Sequence, residues 1–328
     1  MFVSVNWAPW VTRGACTRWT GRARRCERLA RTALAPRTSR VGHPSVARRL
    51  AMGNTAADAS PSSSSLEGDQ AIIIGMGRIG TLLAGAQADG LLQPRCVARG
   101  APMFEEGDAQ RRGPIYVCTR NDDLEAIIRA CPEERRKDLV FVQNGMILSL
   151  LHQHGLDGAT QALIYFAVER MHAQPTDGGG TVAWGPWAEA FAARVRACGC
   201  QCKVLSNRTE FNRRMVDKLL WICIFGVLCT RHQGMTVGKA AATRVDDVRH
   251  MVDELCPIIE REFRWGEDRG LNRPMLVISL LEYSKNIPDF VAGFKEYPWR
   301  NGWFMEREET PVHGEYVRAC QEMLAAKK

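Results

Sequence analysis

Residues 71–80 have the sequence AIIIGMGRIG, in which a run of isoleucines meets three glycines at the spacing G-x-G-x-x-G. This pattern predicts a strand, a tight turn and the start of a helix. Gly75 permits a turn that a Cβ atom would obstruct, and Gly77 lets the backbone approach a pyrophosphate. Gly80 lets the helix lie close to the strand.

The start of the helix after these glycines favours a negative charge, because its N–H groups are free and its dipole is positive there. An ordinary glycine-rich turn is the alternative. The strand before the glycines and the amphipathic stretch after them favour a dinucleotide-binding loop. The residues of this predicted loop are Gly75, Met76, Gly77, Arg78, Ile79 and Gly80.

Arg99 is the second clue to the ligand, since it follows the next segment with strand character, residues 94–98. Folds that bind NAD carry an acidic residue roughly 20 residues after the glycines, for the ribose hydroxyls. A carboxylate would repel the 2′-phosphate of NADP, whereas a guanidinium can bind it through paired hydrogen bonds. Arg99 therefore predicts NADP(H) as the cofactor, with a solvated surface arginine as the alternative.

Charge is distributed unevenly along the 328 residues. Residues 1–50 contain 11 arginines, no lysine and one acidic residue, a net charge of +10; because the whole chain carries +8, residues 51–328 carry −2. The arginine-rich stretch, residues 1–52, resembles a transit peptide for a mitochondrion or plastid. If Met52 is instead the true start, the protein is cytoplasmic. Residues 53–70, rich in serine, predict a flexible linker.

The rest of the chain has features that argue against several functional classes. Its net charge is not basic, so nothing suggests a nucleic-acid partner. No apolar run reaches the roughly 18 residues that a membrane helix needs. The 12 cysteines are scattered and form no C-x-x-C pair, which favours buried thiols over a metal site. Whether the protein forms a homodimer stays open.

Strand and helix patterns alternate as far as residue 205, and helical patterns follow. The further strand segments are 114–119, 139–143, 163–170, 181–184 and 202–205, and helical segments are 122–131 and 188–197. Residues 177–184 have the composition of an antiparallel hairpin. We predict an α/β Rossmann-type dinucleotide-binding domain for NADP at residues 71–205. An all-helical C-terminal domain at residues 206–328 would bind the substrate and carry the catalytic residues.

Arg120 and Asn144 each follow a strand of the predicted Rossmann-type domain. In a parallel sheet, the loops after the carboxyl ends of the strands border the ligand crevice. We therefore expect both residues to face the cofactor. For Asn144, which precedes Gly145, a plain turn is the alternative.

Lys218 belongs to a long helix predicted over residues 208–230 and precedes a run, residues 219–225, that is apolar on every face. Such a helix is buried. The lysine either extends its amine to solvent or opens into the crevice. In the crevice, a cation can polarise a carbonyl group and give up a proton as hydride arrives.

Together these residues resemble the ketopantoate reductase family of the 6-phosphogluconate dehydrogenase-like superfamily, from residue 71 to the C-terminus. Members have the glycine loop, two basic residues for the NADP 2′-phosphate, an Asn-Gly turn and a lysine that starts K-L on the first long helix. The corresponding residues after the glycine loop are Arg99, Arg120, Asn144 and Lys218.

The most specific match to the family lies near the C-terminus. Members have a serine and, twelve residues later, a glutamate that opens E-x-x-x-x-N-G. Ser284 and Glu296 have this spacing, and the signature continues to Gly302.

The resemblance implies NADPH-dependent reduction of a small 2-oxo acid, with conversion of 2-dehydropantoate to pantoate, on the route to pantothenate and coenzyme A, as the leading reaction. It implies that Lys218 is the general acid and that Glu296 orients the substrate and the lysine. It also implies that Ser284 holds the substrate carboxylate and that Asn144 lies between the nicotinamide and the substrate.

Two positions on the lysine helix depart from the family. Members place asparagines four and eight residues after the lysine, where this chain has Ile222 and Gly226. These positions share one face of the helix, which is therefore apolar and small. One alternative is a related reductase of a different, less polar 2-oxo acid. Another is a NADP-binding protein without catalysis.

Overall fold

The structure is a computed structural model that describes residues 65–178, 180–263 and 270–326. The predicted transit peptide and most of the predicted linker lie outside these residues. The strands are β1 (Ile72–Ile74), β2 (Arg95–Val97), β3 (Ile115–Val117), β4 (Leu139–Phe141), β5 (Thr160–Leu163), β6 (Phe166–Ala167), β7 (Thr176–Asp177), β8 (Val182–Trp184) and β9 (Lys203–Val204). The α-helices are α1 (Arg78–Ala84), α2 (Leu124–Ala130), α3 (Leu148–Gln153), α4 (Ala188–Ala197), α5 (Arg208–Arg231), α6 (Val237–Thr243), α7 (Val245–Phe263), α8 (Arg273–Asn286), α9 (Asn301–Met305) and α10 (Pro311–Ala325).

Seven of the strands form one sheet in the order β2-β1-β3-β4-β5-β8-β9. Strands β1 to β5 are parallel, β8 is antiparallel to β5, and β9 is parallel to β8. The strand order reverses between β1 and β3, where a Rossmann-type sheet opens a crevice at the carboxyl ends of its strands. The sheet confirms the predicted α/β Rossmann-type domain.

Strand β1 is apolar along its whole length because both faces of the sheet are covered. Ile73 packs into one apolar cluster with Leu83 and Phe191, and Ile72 and Ile74 pack into a second cluster. Parallel strands with two covered faces have such continuous apolar runs. Burial of each isoleucine contributes about 1.5–3 kcal/mol to the stability of the fold. The strand therefore holds the start of the glycine loop in a fixed position.

The chain between β5 and β8 differs from the prediction. A continuous strand over 163–170 and a hairpin over 177–184 were expected, but β5 ends at Leu163, and β6 pairs with β7 in a separate two-stranded sheet. Strand β8 then returns and pairs with β5. The two ends of this segment are joined by a hydrogen bond, which the Thr181 hydroxyl accepts from the Tyr165 N–H group (2.9 Å).

The predicted linker ends earlier than residue 70. Glu67 is fully buried, and its carboxylate contacts Arg194 at 2.5 and 2.7 Å. It also accepts hydrogen bonds from the Tyr116 hydroxyl (2.6 Å) and the Leu92 N–H group (2.7 Å). A buried carboxylate needs such partners. Residues 65–70 therefore pack with the folded part of the chain, next to the domain predicted to start at residue 71.

After β9, helices connected by loops make up the described chain, which confirms the predicted all-helical C-terminal domain. Helix α5 follows Asn207, whose side chain accepts hydrogen bonds from the N–H groups of Thr209 and Glu210, as an N-cap residue does. Helices α6, α7, α8 and α10 all pack on α5. None of the described helices has the length and apolar character needed to cross a membrane.

Candidate active site

The turn after β1 has the shape that its glycines predict. Gly75 has a φ of +97°, and a Cβ atom there would lie 2.9 Å from the backbone carbonyl carbon of Cys118. A Cβ atom on Gly80 would lie 2.1 Å from the carbonyl oxygen of Gly75. By contrast, no described atom lies within 4 Å of a Cβ built on Gly77. The turn is therefore closed on the sheet side and open on the side where a ligand would bind.

The first turn of α1 offers backbone N–H groups to this open side. Gly77 is its N-cap residue, and no described side chain caps the helix. The Arg78 guanidinium donates to the Val168 carbonyl (2.9 Å). Met76 and Ile79 pack against the apolar cluster that contains Ile73. Because uncapped N–H groups attract phosphate oxygens, the backbone of this loop fits the pyrophosphate of a dinucleotide.

Arg99 and Arg120 lie on either side of the glycine turn. Arg99 follows β2 and Arg120 follows β3, and both strands are neighbours of β1. Arg120 is 70% exposed and 3.6 Å from Asp122, while the exposed Arg99 side chain makes no hydrogen bond or ion pair with the described residues. Exposed ion pairs contribute little, so both guanidinium groups are available to an anion at this edge of the sheet.

The segment around Trp299 brings the C-terminal signature to the same edge. The Trp299 carbonyl accepts a hydrogen bond from the Met146 N–H group (2.7 Å), and its indole donates to Asp122 (2.9 Å). Gly145 has a φ of +100°, and a Cβ atom there would lie 2.5 Å from the Trp299 carbonyl oxygen. The Asn-Gly turn is thus needed for contact between the two halves of the chain.

Asn144 lies beside this contact, three residues after the end of β4. Its carbonyl accepts a hydrogen bond from the Asn121 side chain (2.7 Å). Its side-chain Oδ1 is buried and has no hydrogen-bond partner among the described residues. Buried acceptors are usually paired, so Asn144 has capacity for a ligand at the predicted position.

Lys218 is buried, with 3% of the residue exposed. Its Nζ donates to the carbonyl of Ile164, just past the carboxyl end of β5, at 2.6 Å, and it lies 4.4 Å from the ring centre of Tyr165. Burial, and then the positive charge of Arg300, hold the pKa of Lys218 well below its ordinary value. The amine therefore reaches the sheet edge that carries the glycine loop, instead of extending into solvent.

Glu296 and Arg300 form an ion pair in the segment before α9. Glu296 has a left-handed backbone, with a φ of +49°. Because Arg300 also lowers the pKa of Lys218, its guanidinium acts on both residues that were predicted to be catalytic. Sequence reasoning missed Arg300, although a charged residue within the E-x-x-x-x-N-G signature was a usable signal.

The end of the signature has a structural role. The Asn301 side chain is buried and contacts the His313 ring at 2.9 Å, which ties α9 to α10. A Cβ atom on Gly302 would lie 2.6 Å from the Tyr297 carbonyl oxygen. Asn301 and Gly302 thus fix the segment that presents Glu296.

Comparisons with known proteins identify the fold. No protein-family model matches the sequence, and no curated protein matches it. Ketopantoate reductase from Ralstonia eutropha is 15% identical with a TM-score of 0.53, over 77% of this chain and 99% of that chain. Dimeric ketopantoate reductase from Staphylococcus aureus is 15% identical with a TM-score of 0.55, over 77% and 99%. A ternary structure of D-mandelate dehydrogenase with NADH and anilino(oxo)acetate is 13% identical with a TM-score of 0.54, over 77% and 98%.

The chain shares its fold with these ketopantoate reductases and with D-mandelate dehydrogenase. At these identities the similarity concerns the fold, and to that extent it confirms the resemblance found in the sequence.

In this fold, the Ser284 hydroxyl is bonded to residues of the helical half. Ser284 is fully buried in α8, where its hydroxyl donates to the Leu280 carbonyl (2.9 Å) and accepts from the Trp221 indole (2.9 Å). A substrate carboxylate cannot reach it in this arrangement. The structure therefore does not support the predicted substrate contact, because spacing places a residue on a helix but does not choose the partner of its hydroxyl.

The departures at Ile222 and Gly226 have a physical reason. A Cβ atom on Gly226 would lie 3.1 Å from the Gly293 carbonyl oxygen, and the neighbouring Phe294 N–H donates to the Thr230 hydroxyl (3.0 Å). The loop after α8 thus packs directly on this face of α5. Ile222 packs against the surrounding apolar cluster. Packing within the chain replaces the polar face that the family resemblance implied.

Proposed function

We propose that this protein is an NADPH-dependent reductase of a small 2-oxo acid, with 2-dehydropantoate, which would give pantoate, as the leading substrate. The observation that carries the proposal is the buried Lys218 amine, which lies at the carboxyl edge of the sheet that also holds the glycine turn. The fold supports it, since ketopantoate reductases share the architecture. The route to pantothenate and coenzyme A would be the biological setting.

The cofactor would be held by residues that follow three neighbouring strands. The backbone of residues 75–80 would bind the pyrophosphate. Arg99 and Arg120 would bind the 2′-phosphate, which favours NADP(H) over NAD(H). When bound, NADPH supplies a hydride to the carbonyl carbon of the substrate. The D-mandelate dehydrogenase structure contains NADH, and the fold by itself therefore does not select NADPH. In this chain the choice between NADPH and NADH would depend on Arg99 and Arg120.

Lys218 would act as the general acid. As the carbonyl carbon accepts two electrons with the hydride, negative charge develops on its oxygen, and a buried ammonium group stabilises that charge strongly. The ammonium then transfers a proton to the oxygen, which completes the 2-hydroxy acid and leaves a neutral amine. Because the pKa of Lys218 is lowered by burial, the neutral amine is well tolerated until water returns a proton.

Glu296 and Asn144 would complete the site. Glu296 would orient the substrate and the cations near it, since it pairs with Arg300 and Arg300 acts on Lys218. Asn144, with its unpartnered Oδ1, would contact the nicotinamide and the substrate. Ile222 and Gly226 favour a second candidate function, reduction of a less polar 2-oxo acid.

The experiment is a substrate panel on the purified protein. NADPH and NADH are first titrated by fluorescence, and turnover is then measured with 2-dehydropantoate and with 2-oxo acids that have apolar side chains. Turnover of 2-dehydropantoate with NADPH supports the leading proposal, and turnover only of the apolar acids supports the second candidate. Binding of NADPH without any turnover would indicate a non-catalytic NADP-binding protein.

Two further proposals concern assembly and location. A homodimer is consistent with the fold, which the dimeric Staphylococcus aureus enzyme shares. Import into a mitochondrion or plastid rests on the charge of residues 1–52 alone.

A further inference from the structure

Arg300 is a partly buried cation with unused hydrogen-bonding capacity within the described residues. Its side chain is 13% exposed, and its Nε is buried without a hydrogen-bond partner among the described residues. Its Nη2 binds the Glu296 carboxylate. A guanidinium presents its donors in a planar fork that suits a carboxylate, and buried donors in folded proteins are rarely left unpaired. The remaining donors of Arg300 therefore suit an anionic ligand.

The surroundings of Arg300 carry several positive charges. The pKa of Lys218 and the pKa of Lys295 are both lowered, first by burial and then by the charge of Arg300. The ion pair with Glu296 offsets one of these charges. An anion bound beside Arg300 would offset another, and the low dielectric of a buried site would strengthen that attraction.

Arg300 is also placed where a substrate carboxylate would have to lie. It follows Trp299, whose carbonyl binds the Met146 N–H group beyond the carboxyl end of β4, and the Lys218 amine lies beyond the end of the neighbouring β5. In a 2-oxo acid the carboxylate is bonded directly to the carbonyl carbon. The cation for the carboxylate must therefore be a near neighbour of the cation for the carbonyl oxygen.

The residue first expected to hold the carboxylate is not available for it. The Ser284 hydroxyl is fully buried and bonded to Trp221 and Leu280. The face of α5 beside Lys218 offers only Ile222 and Gly226 at the two positions where polar contacts were expected. Arg300 supplies the charge that these positions lack.

We propose that Arg300 binds the substrate carboxylate, that Glu296 holds its guanidinium in place, and that Arg300 thereby selects 2-oxo acids over uncharged ketones. This inference rests on the proposed reductase function and adds the residue that determines its specificity. Arg300 acts in binding, while Lys218 remains the proton donor.

The test compares a 2-oxo acid that the wild-type enzyme reduces with the primary amide of the same acid, which keeps the ketone but lacks the negative charge. At a pH below the fall of the wild-type profile, we expect Arg300→Gln to lower kcat/KM for the acid about a hundredfold, mainly through KM, and to leave kcat/KM for the amide within about threefold of wild type. Arg300→Lys keeps the charge without the planar fork, so an intermediate loss is expected. Equal losses for acid and amide would overturn the proposal.

Arg307→Gln is the matched control, because it removes the same charge just beyond the signature segment. There the guanidinium lies over the Trp303 ring, 3.9 Å from the ring centre. We expect this variant to keep the wild-type ratio of kcat/KM for acid and amide. The dissociation constant of NADPH, which also reports folding, should be unchanged in all three variants.

Two outcomes separate this inference from the proposed function. If Arg300→Gln does not fold, Arg300→Lys and the wild-type enzyme still decide, because a wild-type enzyme that reduces the amide as well as the acid overturns the role of Arg300. Its reductase function would then stand. A wild-type protein that binds NADPH and reduces no 2-oxo acid would overturn the function itself, and this inference with it.

Discussion

Lys218 has an environment that few lysines share, because its amine is buried between a backbone carbonyl and an aromatic ring. A charge in such a place costs free energy unless it is paired and hydrogen-bonded, and the lowered pKa of Lys218 reflects this cost. An amine with a lowered pKa is suited to transfer a proton to a developing alkoxide. The proposed proton transfer therefore depends on what sets the proton affinity of the Lys218 amine.

The first prediction concerns pH. The pKa of Lys218 is lowered by burial and by Arg300, so its proton is present below that pKa and is lost as pH rises through it. We expect kcat/KM for carbonyl reduction to fall at a pH well below the range in which an ordinary lysine titrates. The pH profile of kcat/KM measures this. In Arg300→Gln the fall should move to higher pH, and a profile that does not move would argue against this electrostatic coupling.

The second prediction concerns the cofactor. Arg99→Asp replaces an exposed cation beside the glycine turn by an anion that repels a 2′-phosphate and can accept hydrogen bonds from ribose hydroxyls. We expect the ratio of kcat/KM for NADPH to that for NADH to fall at least about a hundredfold. Arg249→Asp, an exposed arginine on α7, is the control and should leave the ratio unchanged. An unchanged ratio in Arg99→Asp would remove Arg99 from the cofactor site.

Among the elements of the fold, the segment just before β1 differs most clearly from the sequence prediction, which made it part of a flexible linker. Glu67 lies between the sheet and α4 with both carboxylate oxygens bound to Arg194. Arg194 also donates to the carbonyls of Leu83 (2.9 Å) and Leu92 (2.6 Å). This network joins α1, α4 and the chain before β2, so it supports the strand that carries the glycine turn.

The third prediction follows from this network. Glu67→Gln leaves the buried Arg194 without its counter-charge, and we expect the free energy of unfolding to fall by about 3–5 kcal/mol. Urea unfolding followed by circular dichroism measures the loss. Glu105→Gln is the control, since it breaks the ion pair of an exposed carboxylate with Arg95 and should cost about 0–1 kcal/mol. Equal effects of the two substitutions would contradict the role of Glu67.

Sequence reasoning succeeded where the information is local. The glycine turn follows from steric limits at single positions, and the bounds of α4 and the start of α5 follow from local composition. It failed where a partner distant in sequence decides the structure. No residue near Glu67 in the sequence indicates that Arg194 is its partner. Likewise, no residue near Ser284 indicates that its hydroxyl accepts a hydrogen bond from the Trp221 indole.

At the scale of the whole molecule, the candidate site depends on contacts between the sheet and the helical half. The amine of Lys218 comes from α5 and binds the end of β5. Trp299, from the segment before α9, binds the turn after β4 and the side chain of Asp122. The proposed site therefore needs both halves. The sheet half would contribute the cofactor turn, and the helical half would contribute Lys218 and Arg300.

The same contacts explain why the fold was easier to predict than the substrate. Alternating strands and helices followed by long helices are visible in composition, whereas the packing of Gly293 against Gly226 depends on a loop that is distant in sequence. That packing covers the face of α5 that Ile222 and Gly226 leave without polar groups. Arg300 is visible in the sequence within the signature, but its pairing with Glu296 and its effect on Lys218, on which its proposed role rests, became visible only in the structure.

In the proposed mechanism, the Lys218 amine protonates a substrate carbonyl beside a bound nicotinamide. Lys218→Ala, compared with the wild-type protein by turnover of the best 2-oxo acid and by NADPH titration, tests this step. We expect kcat to fall by about 10²–10⁴-fold, while the dissociation constant of NADPH stays within about threefold. Turnover that survives the substitution, or an affinity for NADPH that falls as far as the rate, would contradict the account.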